Sequence, residues 1–143
     1  MKIEAATHSI VANVRAILAR TGLPIAGLED QFPGGYVVAA ECDEIVGCAG
    51  LEIHGRDGLL RSLAVDSKYQ RAGIGRALVV NRVAAARSLK LARVYLLTTT
   101  APDFFLRLGF HSADRARVPA ELGSCPEFAG VCPASATCLS LEV

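Results

Sequence analysis

Apolar residues recur at two spacings along this chain, and the points where one spacing gives way to the other mark out its elements. Weak alternation over 3–7 predicts a short first strand. Ile10, Val14, Ile17 and Leu18 fall on one face of a helix over 13–20, which Gly22 and the following Pro24 stop. Residues 25–31 read as a second short helix, ended by Phe32-Pro33-Gly34-Gly35. Residues 36–41, 45–54 and 59–65 read as strands, with Gly55-Arg56-Asp57-Gly58 as the hairpin loop between the last two. Symmetric pairing about that loop places Glu52 opposite Arg61, where the two would form a cross-strand ion pair. A helix over 73–90 carries Ile74, Leu78, Ala85 and Leu89 along a buried stripe. Val94-Tyr95-Leu96-Leu97 is a continuous apolar run, which predicts a central strand parallel to its predecessor. Pro102 suits the first turn of a short helix reaching 108, closed by Gly109. A strand over 110–113 follows. The stretch 116–132 holds two prolines and one or two helical turns around Glu121 and Phe128, and 136–143 is a terminal strand.

Length makes this a single domain over 1–143. A chain of this size buries about 68–70% of its unfolded surface, so it holds a core without staples. The formal charge of +1 gives no basic excess for nucleic acid, and there is no acidic tail. No run of 18 apolar residues is present, which argues against a membrane span. Met1-Lys2-Ile3-Glu4 puts an acid where a signal peptide would be apolar, so the expectation is a cytoplasmic enzyme. The five cysteines, Cys42, Cys48, Cys125, Cys132 and Cys138, show no C-x-x-C spacing, and no bound metal is expected. Reduced thiols are the default. Cys125, Cys132 and Cys138 gathering around a soft metalloid is a second reading, against burial as small hydrophobes.

The candidate chemistry centres on Gln70-Arg71-Ala72-Gly73-Ile74-Gly75-Arg76, between the strand 59–65 and the helix 73–90. The first N–H groups of a helix lack partners within it, and the helix dipole favours negative charge there. Gly73 and Gly75 let the backbone approach a pyrophosphate, and Arg71 and Arg76 add positive charge. No Gly-Lys-Ser/Thr follows, so this is not a P-loop, and the third glycine of a dinucleotide fingerprint is missing. The plainer alternative is a strand–turn–helix junction whose glycines only shape the turn.

Gln70-x-x-Gly73-x-Gly75, after a strand ending Leu63-Ala64-Val65-Asp66, resembles the acetyl-coenzyme A loop of the GNAT N-acetyltransferase superfamily. Asp103-Phe104-Phe105-Leu106-Arg107-Leu108-Gly109-Phe110 and the order of elements extend the resemblance over most of the chain. Leu97-Thr98-Thr99 with Phe104-Phe105 is most similar to the acetyltransferase domain of bacterial N-acetylglutamate synthases. The tail from Cys132 to Cys138 is similar to small N-acetyltransferases associated with arsenic resistance. The resemblance implies an α/β (α+β) GNAT fold: a central mixed, mostly antiparallel sheet splayed between its fourth and fifth strands and flanked by helices. It also implies acetyl-CoA as cosubstrate and transfer to a primary amine of a small molecule, an amino acid or amino-acid-like compound, by direct attack in a ternary complex. A homodimer is compatible with it. A protein or peptide acceptor, or a non-catalytic acyl-CoA or metalloid-binding module, are the alternatives.

What the resemblance implies for residues follows the chemistry of acetyl transfer. Leu63, Ala64 and Val65 would meet the pantetheine arm, with a backbone N–H near Ala64 or Val65 polarising the thioester carbonyl. Gln70, Arg71, Ala72, Gly73, Ile74, Gly75 and Arg76 would hold the pyrophosphate, with Thr99, Phe104 and Phe105 completing the cosubstrate site. An alkyl amine with a pKa near 10.4 is only about 0.04% neutral at pH 7, so a base is needed. Glu52 and Glu41 are the candidates, against solvated or ion-paired roles for each. Many relatives protonate the thiolate with a Tyr where this chain has Phe105, which leaves Thr98, Thr99 or water. Arg61 could clamp a substrate carboxylate, against its pairing with Glu52. His8, His54 and His111 read as surface residues.

Overall fold

The computed structural model of the chain describes residues 1–23, 25, 28, 32–70 and 72–143, with the backbone alone at 131. Among these, seven strands form one sheet: β1 (Lys2–Ala5), β2 (Tyr36–Glu41), β3 (Glu44–His54), β4 (Asp57–Val65), β5 (Arg93–Thr98), β6 (His111–Ser112) and β7 (Thr137–Glu142). Their spatial order is β1-β2-β3-β4-β5-β7-β6. β4 and β5 run parallel, and every other neighbouring pair is antiparallel. This is the mixed, mostly antiparallel α/β sheet that the family resemblance implies.

The helices cover the sheet on two faces. α1 (Val11–Thr21) buries Val14, Ile17 and Leu18 against Val38, Cys48 and Ala64. Gly22 ends it in the left-handed region at φ 74°, as the C-cap glycine in the sequence predicts. α2 (Ile74–Ser88) lies on the opposite face, with Ile74 and Leu78 on Val37, Ala39 and Val46. Farther along, its Val79, Val83 and Ala86 pack on Leu51, Leu60 and Leu96. α3 (Pro102–Arg107) joins that face through Phe105. α4 (Ala120–Gly123) and a π-helical turn (Glu127–Val131) lie over the other half of the α1 face. There Leu122, Cys125 and Phe128 meet Leu59, Tyr95 and Cys138.

Several local expectations are corrected. Leu89 is 54% exposed, because α2 ends there and the chain turns so that Leu91 takes the core position instead. The expected helix over 25–31 lies mostly outside the described residues. The β3–β4 loop is only Gly55 and Arg56, since His54 already pairs with Asp57. Gly58 is a strand residue whose missing side chain makes room: a Cβ there would press on the Leu51 and Leu91 side chains. The shorter loop sets Glu52 opposite Leu59 and Arg61 opposite Gly50. Glu52 and Arg61 are therefore diagonal neighbours on one face, a separation that a long arginine side chain spans.

Candidate active site

The parallel pairing of β4 with β5 holds only from Asp57–Arg93 to Leu59–Tyr95. Beyond it the two strands diverge, and among the described residues the second half of β4 has no partner strand on that edge. β4 also carries one extra residue against β3 here, since Cys48 pairs with Ala64 while Gly50 pairs with Arg61. Ser62 absorbs the bulge in the left-handed region, at φ 57°. The bulge puts Leu60 and Leu63 on the α2 face and returns Ala64 to the α1 face. The Asp66 N–H donates to the Val46 carbonyl, so the alternation of an antiparallel pair turns Ala64 towards β3. Leu63 and Val65 then present their N–H and C=O groups to the cleft. The Gln70 side-chain amide donates to the Val65 carbonyl at 3.1 Å and ties the loop to the strand end.

The N-terminus of α2 lies just beyond this edge. Gly73 caps it at φ 81°, a conformation that glycine adopts without strain. No acidic side chain occupies the first turn, so the helix itself supplies no counter-charge to the N–H groups of Ile74, Gly75 and Arg76. Phe104 and the Val65 side chain flank Gly75, so the loop, the end of β4 and α3 converge. Ala72 and Arg76 are exposed, and Arg71 lies outside the described residues.

A cavity of about 570 Å³ fills the mouth of the divergence. Leu60 to Leu63 form one wall and Leu96 to Thr99 the other, and Ala101, Phe104 and Phe105 close one side. Gly22 and Leu23 at the end of α1 and Glu127, Cys132 and Pro133 of the insert also line the cavity. Thr98 is buried, and its Oγ1 accepts the Ala101 N–H at 3.1 Å, which fixes the turn from β5 into α3. The hydroxyl proton remains available for donation. Thr99 is exposed at the rim. Phe105 is buried, edge-on to Phe104 and Phe110.

Arg61 reaches the cavity wall only as part of a buried network. Its side chain is 1% exposed, and Nη1 donates to Glu52 Oε2 at 3.3 Å. The Tyr36 hydroxyl donates to the same oxygen at 3.3 Å, and His54 Nε2 lies 3.2 Å from Oε1. The Tyr36 ring lies across Gly50, where any side chain would collide with it. Burial pushes the Tyr36 phenol well above its ordinary value. Glu52 is thus the ion-paired acid rather than an open base, and His54 is half-buried rather than a surface residue. Glu41 lies on the outer part of the sheet, where Oε1 meets the Met1 ammonium at 3.3 Å. Among the described residues, no three His, Cys, Asp or Glu side chains converge as a metal ion would need.

Sequence reasoning missed Glu127. It is the one carboxylate on the cavity wall among the described residues, it is 5% exposed, and its Oε2 is buried without a hydrogen-bond partner. Burial pushes its pKa up to about 7, opposed by the Arg61 charge and by a hydrogen bond from the Cys132 thiol. Burial, together with the neighbouring carboxylate, pushes that thiol up to about 12, so it remains a donor. The sequence did carry a signal. Glu127 is the lone charge in the run Cys125-Pro126-Glu127-Phe128-Ala129-Gly130-Val131-Cys132.

Residues 33–112 match the family model described as the acetyltransferase (GNAT) domain. The amino-acid acetyltransferase of Mycobacterium tuberculosis (strain H37Rv) is 39% identical over 80 residues. The match takes in 55% of this chain and 45% of that protein, so the chain spans about half the length of this curated relative. Rv2747 of Mycobacterium tuberculosis, crystallised in complex with CoA, is similar at a TM-score of 0.85 and 24% identity, over 100% of this chain and 99% of that one. N-acetylglutamate synthase from Neisseria gonorrhoeae, complexed with coenzyme A and N-acetyl-glutamate, gives a TM-score of 0.85 at 21% identity, over 99% of this chain and 34% of that one. At these identities the two structures speak for the fold.

Proposed function

The chain belongs to the GNAT acetyltransferases, and from that premise we propose that it transfers acetyl from acetyl-CoA to the primary amine of a small molecule, by direct attack in a ternary complex. The observation that carries the reading is the continuity of three features: the free edge of β4, the acid-free N-terminus of α2 at its end, and the cavity beside both. The edge accepts the amide-bearing pantetheine arm as an added strand would be accepted, through Leu63 and Val65. The N–H groups of Ile74, Gly75 and Arg76 take the pyrophosphate, each such exposed interaction contributing about 0.3–1 kcal/mol. The thioester carbonyl then lies at the cavity mouth, and the Val65 N–H polarises it. Removing one such donor typically costs about 10²–10³ in rate. Ala64 directs its own N–H to β3, so Val65 alone serves.

The acceptor enters from the opposite side, between the end of α1 and the insert. A cavity of about 570 Å³ is in the size range of small-molecule sites. Within it the amine nitrogen attacks the carbonyl carbon, the C–N bond forms and the C–S bond breaks. The thiolate takes its proton from the Thr98 hydroxyl or from water. Arg61 is committed to Glu52, so it stiffens the wall and does not clamp a substrate carboxylate.

The test is a thiol-release assay with acetyl-CoA over amino acids, polyamines, aminoglycosides and short peptides. Release with free small amines is the expected result. Release confined to peptides would overturn the acceptor class, and coenzyme A binding without release from any amine would overturn transfer itself.

A further inference from the structure

We propose that Glu127 is the catalytic base of this reaction, its carboxylate taking the proton from the acceptor ammonium inside the cavity between β4 and β5. The proposal rests on the acetyl-transfer reading above and supplies what that reading lacks. Two acids are deeply buried near the cavity, and the structure treats them oppositely. Glu52 is saturated by Tyr36, Arg61 and His54. Glu127 lines the cavity wall and keeps Oε2 buried just behind it, without a hydrogen-bond partner. An unpaired buried carboxylate oxygen costs folding free energy. A cationic amine entering the cavity supplies the missing donor once the Glu127 carboxylate turns towards it.

The surroundings suit the role. Arg61 from β4 and Arg115, whose guanidinium donates to the Pro133, Phe128 and Cys132 carbonyls, favour the ionised form. The Cys132 thiol beside the carboxylate also favours the ionised form. Burial and the Glu52 charge act the other way. The balance near neutrality is where a base is both ionised and basic enough to accept a proton.

The proton count closes. The ammonium gives its first proton to Glu127, and the neutral amine attacks. The nitrogen loses a second proton as the amide forms. That proton replaces the one given to the thiolate by Thr98 or water, and Glu127 returns its own to solvent.

The experiment compares wild type, Glu127→Gln, Glu127→Asp and Cys132→Ala, using acetyl-CoA and the small amine that gives the fastest thiol release in the screen above. Coenzyme A affinity is measured in parallel by calorimetry. The amide is isosteric and removes a buried charge, so Glu127→Gln keeps the fold. Wild-type kcat/KM should rise with pH through about 7. Glu127→Gln should lose about 10²–10⁴-fold in kcat with coenzyme A affinity unchanged. Glu127→Asp should keep part of the rate, and Cys132→Ala should move the rising limb to higher pH by removing a bond to the ionised form. A Glu127→Gln enzyme within tenfold of wild type, or one with the same rising limb, overturns the assignment and leaves acetyl transfer standing. Wild type that binds coenzyme A but releases no thiol with any amine overturns both.

Discussion

Glu52 and Arg61 sit at 3% and 4% exposure, and at that depth a charge is tolerated only in company. Arg61→Met leaves Glu52 with the Tyr36 hydroxyl and His54, and Glu52→Gln leaves the guanidinium facing a neutral amide. Each should destabilise the fold by about 3–5 kcal/mol, read from urea unfolding at pH 7. A loss below 1 kcal/mol for both would show that the pair is not a structural requirement. Glu127 behaves in the opposite sense. Its carboxyl is raised from an ordinary 4.5 to about 7 by burial, so the folded state binds the proton more tightly than the unfolded chain. The stability tied to that proton is fully present below pH 4.5 and is lost as pH rises through 7. Glu127→Gln should therefore match wild type at about pH 4 and exceed it by about 1–3 kcal/mol at about pH 8. Equal stability at both pH values would mean that the carboxyl is solvated in the folded state.

Among the elements, α2 has the role most open to direct test. A Cβ at Gly73 would meet nothing within 4 Å among the described residues, so the position has room for a side chain. Asn and Asp both tolerate its positive φ better than other residues, and they differ in charge. Gly73→Asp should weaken coenzyme A binding at least tenfold more than Gly73→Asn, because it places a carboxylate where the proposed reading puts the phosphates. Equal affinities by calorimetry would remove the phosphate from this helix end. The insert poses a different question. Cys125 and Cys138 are buried in the cluster of Leu59, Tyr95, Leu122 and Phe128, away from the cavity lining. Burial raises both thiols, Cys138 to about 11, which keeps them protonated and unreactive. The double variant Cys125→Ala/Cys138→Ala should keep its turnover within a few fold, provided it folds. Loss of turnover at unchanged stability would give these thiols a chemical role.

For the molecule as a whole, the proposed reaction would bring the two substrates in from the two sides of the cleft, and no tyrosine lines the cavity among the described residues to serve as the acid. Phe105 is buried among Phe104 and Phe110, and Tyr36 holds its proton within the Glu52 network. A thiolate with a pKa near 8.5 leaves without a dedicated acid, so kcat/KM should rise to a plateau and show no descending limb up to about pH 10. Phe105→Tyr should not change the profile. A descending limb that disappears in Tyr36→Phe would assign that phenol the acid role instead. The part of this arrangement that is local was legible along the chain. The strand 36–41, the helix that Gly22 stops, the Gln70-to-Arg76 junction and the short helix opened by Pro102 each follow from periods and caps within about a dozen residues. What depends on register was not legible. One loop two residues shorter than the glycines suggested moved Glu52 away from direct opposition to Arg61, and one bulge at Ser62 decided which β4 amides face the cleft. What depends on the path of an irregular segment was least legible. Glu127 lies far along the chain from β4, and no periodicity connects them. The packing of Leu122, Cys125 and Phe128 on Leu59 and Tyr95 brings its carboxylate to the cavity wall. Sequence determines which groups are present and the elements that hold them, because caps and periods act over a few residues. Tertiary packing determines which of those groups keep water and which lose it, and that loss turns an ordinary acid into one that titrates near neutrality.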